Sequence, residues 1–207
     1  MKNIFISFTF FFFFFNKSFC WDEKLFNKQN IPYQFSVHYN DNLSSNDFEL
    51  RSDEVPPGRV KKSMFRSRTN YDLSSSDSWQ ARGSTQLLSF GGDFYWARQI
   101  DVYDTQNNCI GNISGSMLNP TLVCYSFFDE DNELIAYSCV DEGCLRASIV
   151  HPIVESRVFA ELTRLFETGA EDSWGVQVFE PEKIDFRTLR IFSAFIADQQ
   201  RKFKEDK

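Results

Sequence analysis

The residues near the C-terminus set the strongest limit on how this chain can fold. Apolar residues follow helical spacing over 185–200, yet no residue from Ile191 to Ala197 carries a charge. The middle turns of such a helix have no face suited to water, so the helix must be enclosed on all sides. Asp185 suits the N-cap, because its carboxylate can accept the free N–H groups of the first turn.

The region before this helix has the pattern of short strands joined by turns. Strands first and one buried helix last predict a mainly β fold, in which a sheet wraps around the helix. The alternation in Val158–Phe166 suits a strand, although a short helix is an open alternative. The predicted strands are Gln86–Phe90, Phe94–Tyr103, Cys109–Gly115, Leu122–Phe128, Leu134–Val140, Leu145–His151, Val158–Phe166 and Trp174–Phe179.

A weak internal repeat punctuates these strands. An aromatic residue, an Asp, a polar turn and an apolar strand start recur three times, beginning at Tyr71-Asp72, Tyr103-Asp104 and Phe128-Asp129. An Asp at the start of a turn can accept backbone N–H groups further on, and Asn tolerates left-handed geometry. The repeat therefore predicts a series of hairpins, as in a meander or barrel. The alternative for 129–132, a calcium loop, lacks the Gly and the distal Glu of that pattern.

The first 20 residues have the order of a secretory signal peptide. Lys2 gives a basic start, 4–15 form an apolar core, and 16–20 form a short polar exit. The apolar core is shorter than the roughly 20 residues of a spanning helix. We therefore expect a secreted or extracytoplasmic protein (periplasm or cell surface), with no transmembrane span in the mature chain. An uncleaved anchor and a misread start are the alternatives, and without a signal the protein would be cytoplasmic.

Cys20, at the end of the signal, adds a further alternative, which is lipidation of its thiol after cleavage. Residues 21–46 are polar and mixed, and they predict a leader or loop, although Tyr33–Tyr39 alternates like a strand. The folded domain is predicted to span 47–207, with the buried helix at about 185–200.

The net charge limits the partners. The formal charge is −7, and removing residues 1–20 takes away Lys2 and Lys17 but no acid, which gives −9. An acidic domain is a poor general binder of nucleic acid, and an anionic membrane repels it unless a local basic patch is present.

Besides Cys20 the chain has four cysteines, an even number that suits an oxidising compartment. Cys139 and Cys144 flank four residues and are candidates for a disulfide across a hairpin. The alternative is four buried thiols that act as small hydrophobes. No metal site is predicted, because C-x-x-C is absent and only His38 and His151 could add imidazoles.

Five basic residues form the only basic cluster: Arg59, Lys61, Lys62, Arg66 and Arg68. In one strand, Lys62, Arg66 and Arg68 share a face, and Arg59 and Lys61 share the other. Such a ridge could bind phosphate headgroups or an acidic partner. The alternative is a solvated strand whose charges balance nearby acids.

Catalysis finds little support in the sequence. The motifs G-x-S-x-G, H-E-x-x-H and the P-loop do not occur, so no catalytic residue and no cofactor is predicted. His151 precedes Pro152 at a strand end. A general base there would need partners that the sequence does not supply, so a structural histidine is the favoured interpretation.

Two hairpins and the last helix resemble the tubby-like superfamily, which includes the tubby C-terminal domain, the phospholipid scramblases and the LURP-one-related proteins. The resemblance lies in Tyr103–Gly115, Tyr125–Ala136 and Leu189–Ala197, and it covers roughly Phe48 to Phe203. It implies a closed antiparallel β-barrel with one apolar C-terminal helix through the middle. Tubby domains bind phosphoinositides and scramblases are linked to lipid movement, but fold does not carry function, and no binding residue is transferred.

Two classes of function follow from these observations. The first is a non-enzymatic, exported domain of the tubby-like type that binds a lipid headgroup or a protein partner. The alternative is a hydrolase or other enzyme in the same compartment. A barrel filled by Phe192, Phe195 and Ile196 leaves only its outside and rim for ligands. A cavity lined by His151 and carboxylates would favour the enzyme.

Overall fold

The computed structural model describes residues 32–40, 47–65, 68–76, 78–85, 99–119, 122–141, 146–166 and 173–205. These residues form twelve strands and one helix, α1, at Phe186–Glu205. The strands are β1 Tyr33–Tyr39, β2 Asp47–Arg51, β3 Gly58–Phe65, β4 Arg68–Ser75, β5 Ser78–Thr85, β6 Gln99–Asp104, β7 Cys109–Asn119, β8 Leu122–Phe128, β9 Leu134–Asp141, β10 Arg146–Val150, β11 Val158–Leu165 and β12 Ser173–Val178.

The strands close into a barrel. Each one pairs antiparallel with its neighbours in sequence, and β1 pairs with both β2 and β12. The prediction of a closed antiparallel β-barrel around one C-terminal helix is confirmed. We call the end of the barrel where β12 ends and α1 begins the upper end. Because all pairs are antiparallel, every even-numbered strand ends there and every odd-numbered strand begins there.

The predicted start of the domain at residue 47 is wrong, because β1 belongs to the barrel. Tyr33, Phe35 and Val37 alternate along β1 and are all buried in the core. Without β1, both β2 and β12 would present an unpaired edge. The alternation in Tyr33–Tyr39 indicated a strand, but its polar surroundings placed it in the predicted leader rather than in the barrel.

The second half of the barrel follows the predicted strands closely. Leu122–Phe128 has the predicted bounds, and β9 to β12 match within two residues at each end. Val158–Phe166 is a strand rather than a helix, since β11 pairs on both sides. The predicted strand Gln86–Phe90 and residues 94–98 of Phe94–Tyr103 lie outside the described residues.

The predicted strands did not include β2 to β5. The inward faces of β3 to β5 are polar or small in part, since Lys62, Thr69 and Gly83 point inward. β5 turns Ala81, Gly83 and Thr85 inward, which is no apolar stripe. A Cβ atom on Gly83 would lie 2.5 Å from Cγ2 of Ile191. The missing side chain therefore lets the helix approach this wall of the barrel closely.

The helix is enclosed on all sides, as predicted. Its residues 191–196 have no exposed surface, and aromatic rings of the wall pack edge-on against it. The ring centroids of Phe192 and Phe127 lie 4.8 Å apart, and those of Phe195 and Tyr71 lie 5.9 Å apart. Asp185 is the N-cap, and its Oδ1 accepts the N–H of Arg187 at 2.8 Å.

Two of the three repeated turns have the predicted geometry. Oδ1 of Asp104 accepts the N–H groups of Gln106 and Asn108, and Oδ1 of Asp129 accepts those of the equivalent residues 131 and 133. Asn107 and Asn132 occupy the same place in the two turns, with φ of 66° and 62°. The bond from the backbone N–H of Asn108 is the main reason that the pKa of Asp104 lies below its ordinary value.

The turn predicted after the first copy of the repeat, Tyr71-Asp72, is wrong. Asp72 lies within β4 and forms an ion pair with Arg82, whereas the turn comes later, at Ser76, whose φ is 47°. The chain turns within the serine run at Ser76, and Asp72 therefore remains in the strand.

The enclosed helix predicts that a charge cannot replace its central rings. Phe192→Asp or Phe195→Asp should unfold the domain, because burying an unpaired carboxylate costs several kcal/mol, which is most of the stability of an ordinary domain. Thermal melting followed by circular dichroism measures the effect. Phe166→Asp is the matched control, since 65% of that side chain is exposed and its variant should melt like the parent. A Phe195→Asp variant that also melts like the parent would refute the enclosed helix.

A second prediction concerns alkaline pH. Burial raises the pKa of Tyr125 well above its ordinary value of 10.0, because the folded core disfavours the charged phenolate. The unfolded chain ionises near 10, so this stabilisation is complete below about pH 10 and is lost as the pH rises further. Urea unfolding at about pH 9 and about pH 11 should show that the parent loses more stability than Tyr125→Phe does. Equal losses in both proteins would contradict the prediction.

Candidate functional site

The predicted basic ridge is not one surface. Lys62 points into the barrel with 6% of its surface exposed, whereas Arg59, Lys61 and Arg68 are exposed on the outer wall. The chain turns between β3 and β4, so Lys62 lies opposite Tyr71, and the assumption of one continuous strand was wrong. Arg66 lies outside the described residues.

The outer part of this cluster has acids beside it. Arg59 forms an ion pair with Asp47, which is almost fully buried. Lys61 lies opposite Asp72 in the ladder between β3 and β4. The interpretation of a solvated strand whose charges balance nearby acids therefore fits this wall better than the interpretation of a ridge that binds phosphate groups.

Lys62 instead holds the buried helix. Its Nζ lies 2.7 Å from Oδ1 of Asp198 on α1, and the hydroxyl of Tyr71 donates to Oδ2 of Asp198 at 3.0 Å. Asp198 has no exposed surface. An ion pair that is removed from water needs good geometry and further hydrogen bonds, and this pair has both.

The predicted disulfide between Cys139 and Cys144 is wrong. Cys139 is bonded to Cys124, which lies directly opposite it in the ladder between β8 and β9. The prediction placed a turn just after Cys139, but β9 continues to Asp141, and the nearest cysteine is on the preceding strand. Cys109 is a free, exposed thiol. Cys144 and Cys20 lie outside the described residues.

A concave site lies at the upper end, and we call it the upper groove. It has a volume of about 810 Å³ and runs between the loops 129–133, 151–157 and 179–185. Its apolar lining includes Ile110, Phe128, Ile135, Phe159 and Ile184. This volume is in the usual range for sites that take a small ligand or a few residues of a peptide.

Two ion pairs neutralise part of the charge in the upper groove. Arg157 forms a two-pronged pair with Glu180, with Nε 2.8 Å from Oε1, and this bond lowers the pKa of Glu180. Arg187 pairs with Asp185 at 2.8 Å. Asp129, Glu182 and Lys183 also line the groove, and none of them forms an ion pair within the described residues.

His151 lines the groove together with carboxylates, which is the arrangement that the sequence associated with an enzyme. Its Nδ1 accepts the backbone N–H groups of Ile153 and Val154, each at 3.1 Å, and its ring packs edge-on against Phe159. With Nδ1 accepting, the neutral ring carries its proton on Nε2 and has no free lone pair for a base. His151 therefore organises the loop 151–157, which agrees with a structural histidine.

The groove offers little else for catalysis. The described residues that line it include no serine or cysteine, and the only hydroxyl among them is that of the buried Thr188. Within the described part of the chain, no three His, Cys, Asp or Glu side chains could hold a metal ion together. His38 lies on the outer wall of β1, where Ser36 Oγ contacts its Nε2 at 2.8 Å.

Exposed apolar side chains lie on or next to the loops that border the upper groove. Ile153 is 86% exposed and Val154 is 48% exposed, and both lie on the loop that His151 organises. Leu134 begins β9 and Phe179 follows β12 at the same end of the barrel, and both are exposed as well. The sequence did not predict this surface. The feature that could have indicated this surface is the apolar pair Ile153 and Val154, which follows Pro152 in a turn and so belongs to no strand that could bury it.

Comparison of the chain with protein-family models gives no match. A search of curated proteins also finds none with significant similarity. Among the described helical residues, no segment combines the length and the apolarity that a bilayer crossing requires.

The buried ion pair gives a third prediction. Lys62→Met should destabilise the domain by about 3–5 kcal/mol, because it leaves the Asp198 carboxylate buried without its cation. The double variant Lys62→Met with Asp198→Leu should recover much of that loss, since both charges are then gone. Chemical denaturation measures the free energy of unfolding of all three proteins. A single variant as stable as the parent would show that the pair does not hold the helix.

Proposed function

We propose that the protein is a non-enzymatic binding domain that contacts a protein partner with the upper end of its barrel. The observation that carries this proposal is the exposure of Leu134, Ile153, Val154 and Phe179 around the upper groove. Apolar side chains that gather around a concave site are typical of protein-binding surfaces.

The filled barrel supports a role as a scaffold. Phe192, Phe195 and Ile196 occupy the middle of the barrel without exposed surface, so ligands of this domain meet its outside or its rim. The tied Nδ1 of His151 and the lack of an exposed nucleophile along the groove argue against the alternative, a hydrolase.

A protein partner fits better than a lipid headgroup. The exposed arginine and lysine side chains of the outer wall lie beside Asp47 and Asp72, which weakens their attraction for phosphate. The loops of the upper end carry more acids than bases, so an anionic membrane repels this end. Among the described loop residues, the acids are Asp53, Glu54, Asp129, Glu130, Asp131, Glu133, Glu155, Glu180, Glu182 and Asp185, and the bases are Arg157 and Lys183.

Export and a place in the tubby-like superfamily are parts of the same proposal. The bond between Cys124 and Cys139 supports an oxidising compartment, because disulfides persist mainly outside the cytosol. The closed barrel around a C-terminal helix is the architecture that the resemblance implies.

A pair of matched variants tests the proposal. Ile153→Asp with Val154→Asp places two charges on the apolar loop of the upper end. The control, Leu165→Asp with Phe166→Asp, makes the same change at the other end of the barrel, where both side chains are also exposed. The tagged parent and both variants are recovered from the native host, and the proteins that co-purify are quantified and then tested for direct binding in purified form.

The expected result is a partner that binds the parent and the control directly but is lost from Ile153→Asp with Val154→Asp. Binding that survives in the upper-end variant would refute the proposal. Vesicles that contain phosphatidylserine or a phosphoinositide form a second arm. Binding of the parent to them, with loss on Arg59→Gln and Lys61→Gln, would replace the protein partner with a lipid headgroup.

A further inference from the structure

The charge that remains in the upper groove indicates which partner it fits. Arg157 is neutralised by Glu180 and Arg187 by Asp185, so neither arginine offers a full positive charge. Among the described lining residues, this leaves one positive charge, on Lys183, and two negative charges, on Asp129 and Glu182. The groove is therefore acidic once its internal ion pairs are formed.

The loops that border the groove extend the same charge. Glu130, Asp131 and Glu133 are exposed beside Leu134, and Glu155 is exposed directly after Ile153 and Val154. None of these four acids forms an ion pair within the described residues. Leu134 is thus preceded by Glu133, and the pair Ile153 and Val154 is followed by Glu155, and neither carboxylate has an ion pair among the described residues.

We propose that the upper groove docks a segment of its protein partner in which aliphatic residues alternate with lysine or arginine. The inference rests on the proposed function and names the chemistry of that partner. An aliphatic side chain of the segment packs on Ile135 and Ile184 in the groove, and its basic neighbours approach Asp129 and Glu182. Charge complementarity of this kind sets the orientation of a bound segment and speeds its association.

The turns at this end are held in place before any partner arrives. Asp129 uses Oδ1 to bind two backbone N–H groups of its own turn, and His151 does the same with Nδ1 in the next loop. A surface that is already ordered loses little conformational entropy on binding. Short segments can therefore bind measurably without the rest of the partner.

The probe is a phage-displayed library of random linear peptides, selected on the full chain. Peptides that emerge are synthesised, and their affinities are measured by fluorescence anisotropy. We compare the parent with Asp129→Asn plus Glu182→Gln, and with a control of equal charge change, Glu49→Gln plus Asp72→Asn, at residues that lie within β2 and β4 and away from the loops of the upper end. Circular dichroism confirms that each variant is folded, because Asp129 also holds its turn. Glu182→Gln alone, at a residue without a hydrogen bond among the described residues, provides a second variant.

The expected peptides are rich in leucine, isoleucine or valine together with lysine or arginine. The groove variant should bind them about three- to tenfold more weakly than the parent does, as the loss of two partly exposed ion pairs implies, and the control should bind like the parent. Added salt should weaken parent binding and remove the difference between the variants.

Two results would overturn the inference. One is selection of acidic peptides or of none, and the other is selected peptides that bind the parent and both Glu182 variants equally. Either result leaves the proposed function standing if Ile153→Asp with Val154→Asp still loses the natural partner. The proposed function is refuted instead if the variant Ile153→Asp with Val154→Asp keeps its natural partner, whatever result the peptide selection gives.

Discussion

The packing of a helix that is apolar all round against every wall of the barrel determines the rest of this structure. Such a helix needs strands on every side, and only a closed sheet provides them without leaving unpaired edges. The wall adapts to the helix locally. Gly83 lets Ile191 approach β5, whereas Tyr125 and Phe127 on β8 fill a wider gap with their rings. Large and small residues around the ring therefore fix where the helix lies within the barrel.

Buried polar groups then fix how far the helix is inserted. Arg190 donates to the carbonyl of Pro56 at 2.6 Å and covers the ring of Phe186 from 3.9 Å, near the upper end. Two turns further along, Asp198 meets Lys62. Apolar packing alone would tolerate a helix that slides by one turn, but a slide would separate these partners and leave charges buried without compensation. We infer that these groups select one position of the helix along the barrel.

The sequence predicted the architecture because its strongest signal, the uncharged turns of α1, is a property of the whole core. It missed β5, since a strand that faces the helix through Ala81, Gly83 and Thr85 needs no apolar stripe. The sequence also indicated the wrong environment for Lys62. Its charge predicts a surface residue, because its buried partner Asp198 lies 136 residues away in the chain. Cys139 was assigned the wrong partner for a different reason. The predicted hairpin at 128–134 already makes β8 and β9 neighbours, and its register places Cys124 opposite Cys139, whereas the prediction considered only the short spacing to Cys144.

The site was harder to predict than the fold because it is assembled from three loops that are far apart in sequence. Only the Asp turn at 129–133 had a recognisable pattern, and it indicated a turn rather than a surface. The upper groove is nevertheless a consequence of the fold. The even-numbered strands all end where α1 enters the barrel, so their loops must gather around the start of the helix. The core does not use the exposed side chains of Leu134, Ile153, Val154 and Phe179. Asp129, which holds its own turn, and Ile184, which is buried in the core, serve the fold as well. If the proposed function holds, selection can change the exposed apolar residues of the upper end while the barrel stays the same.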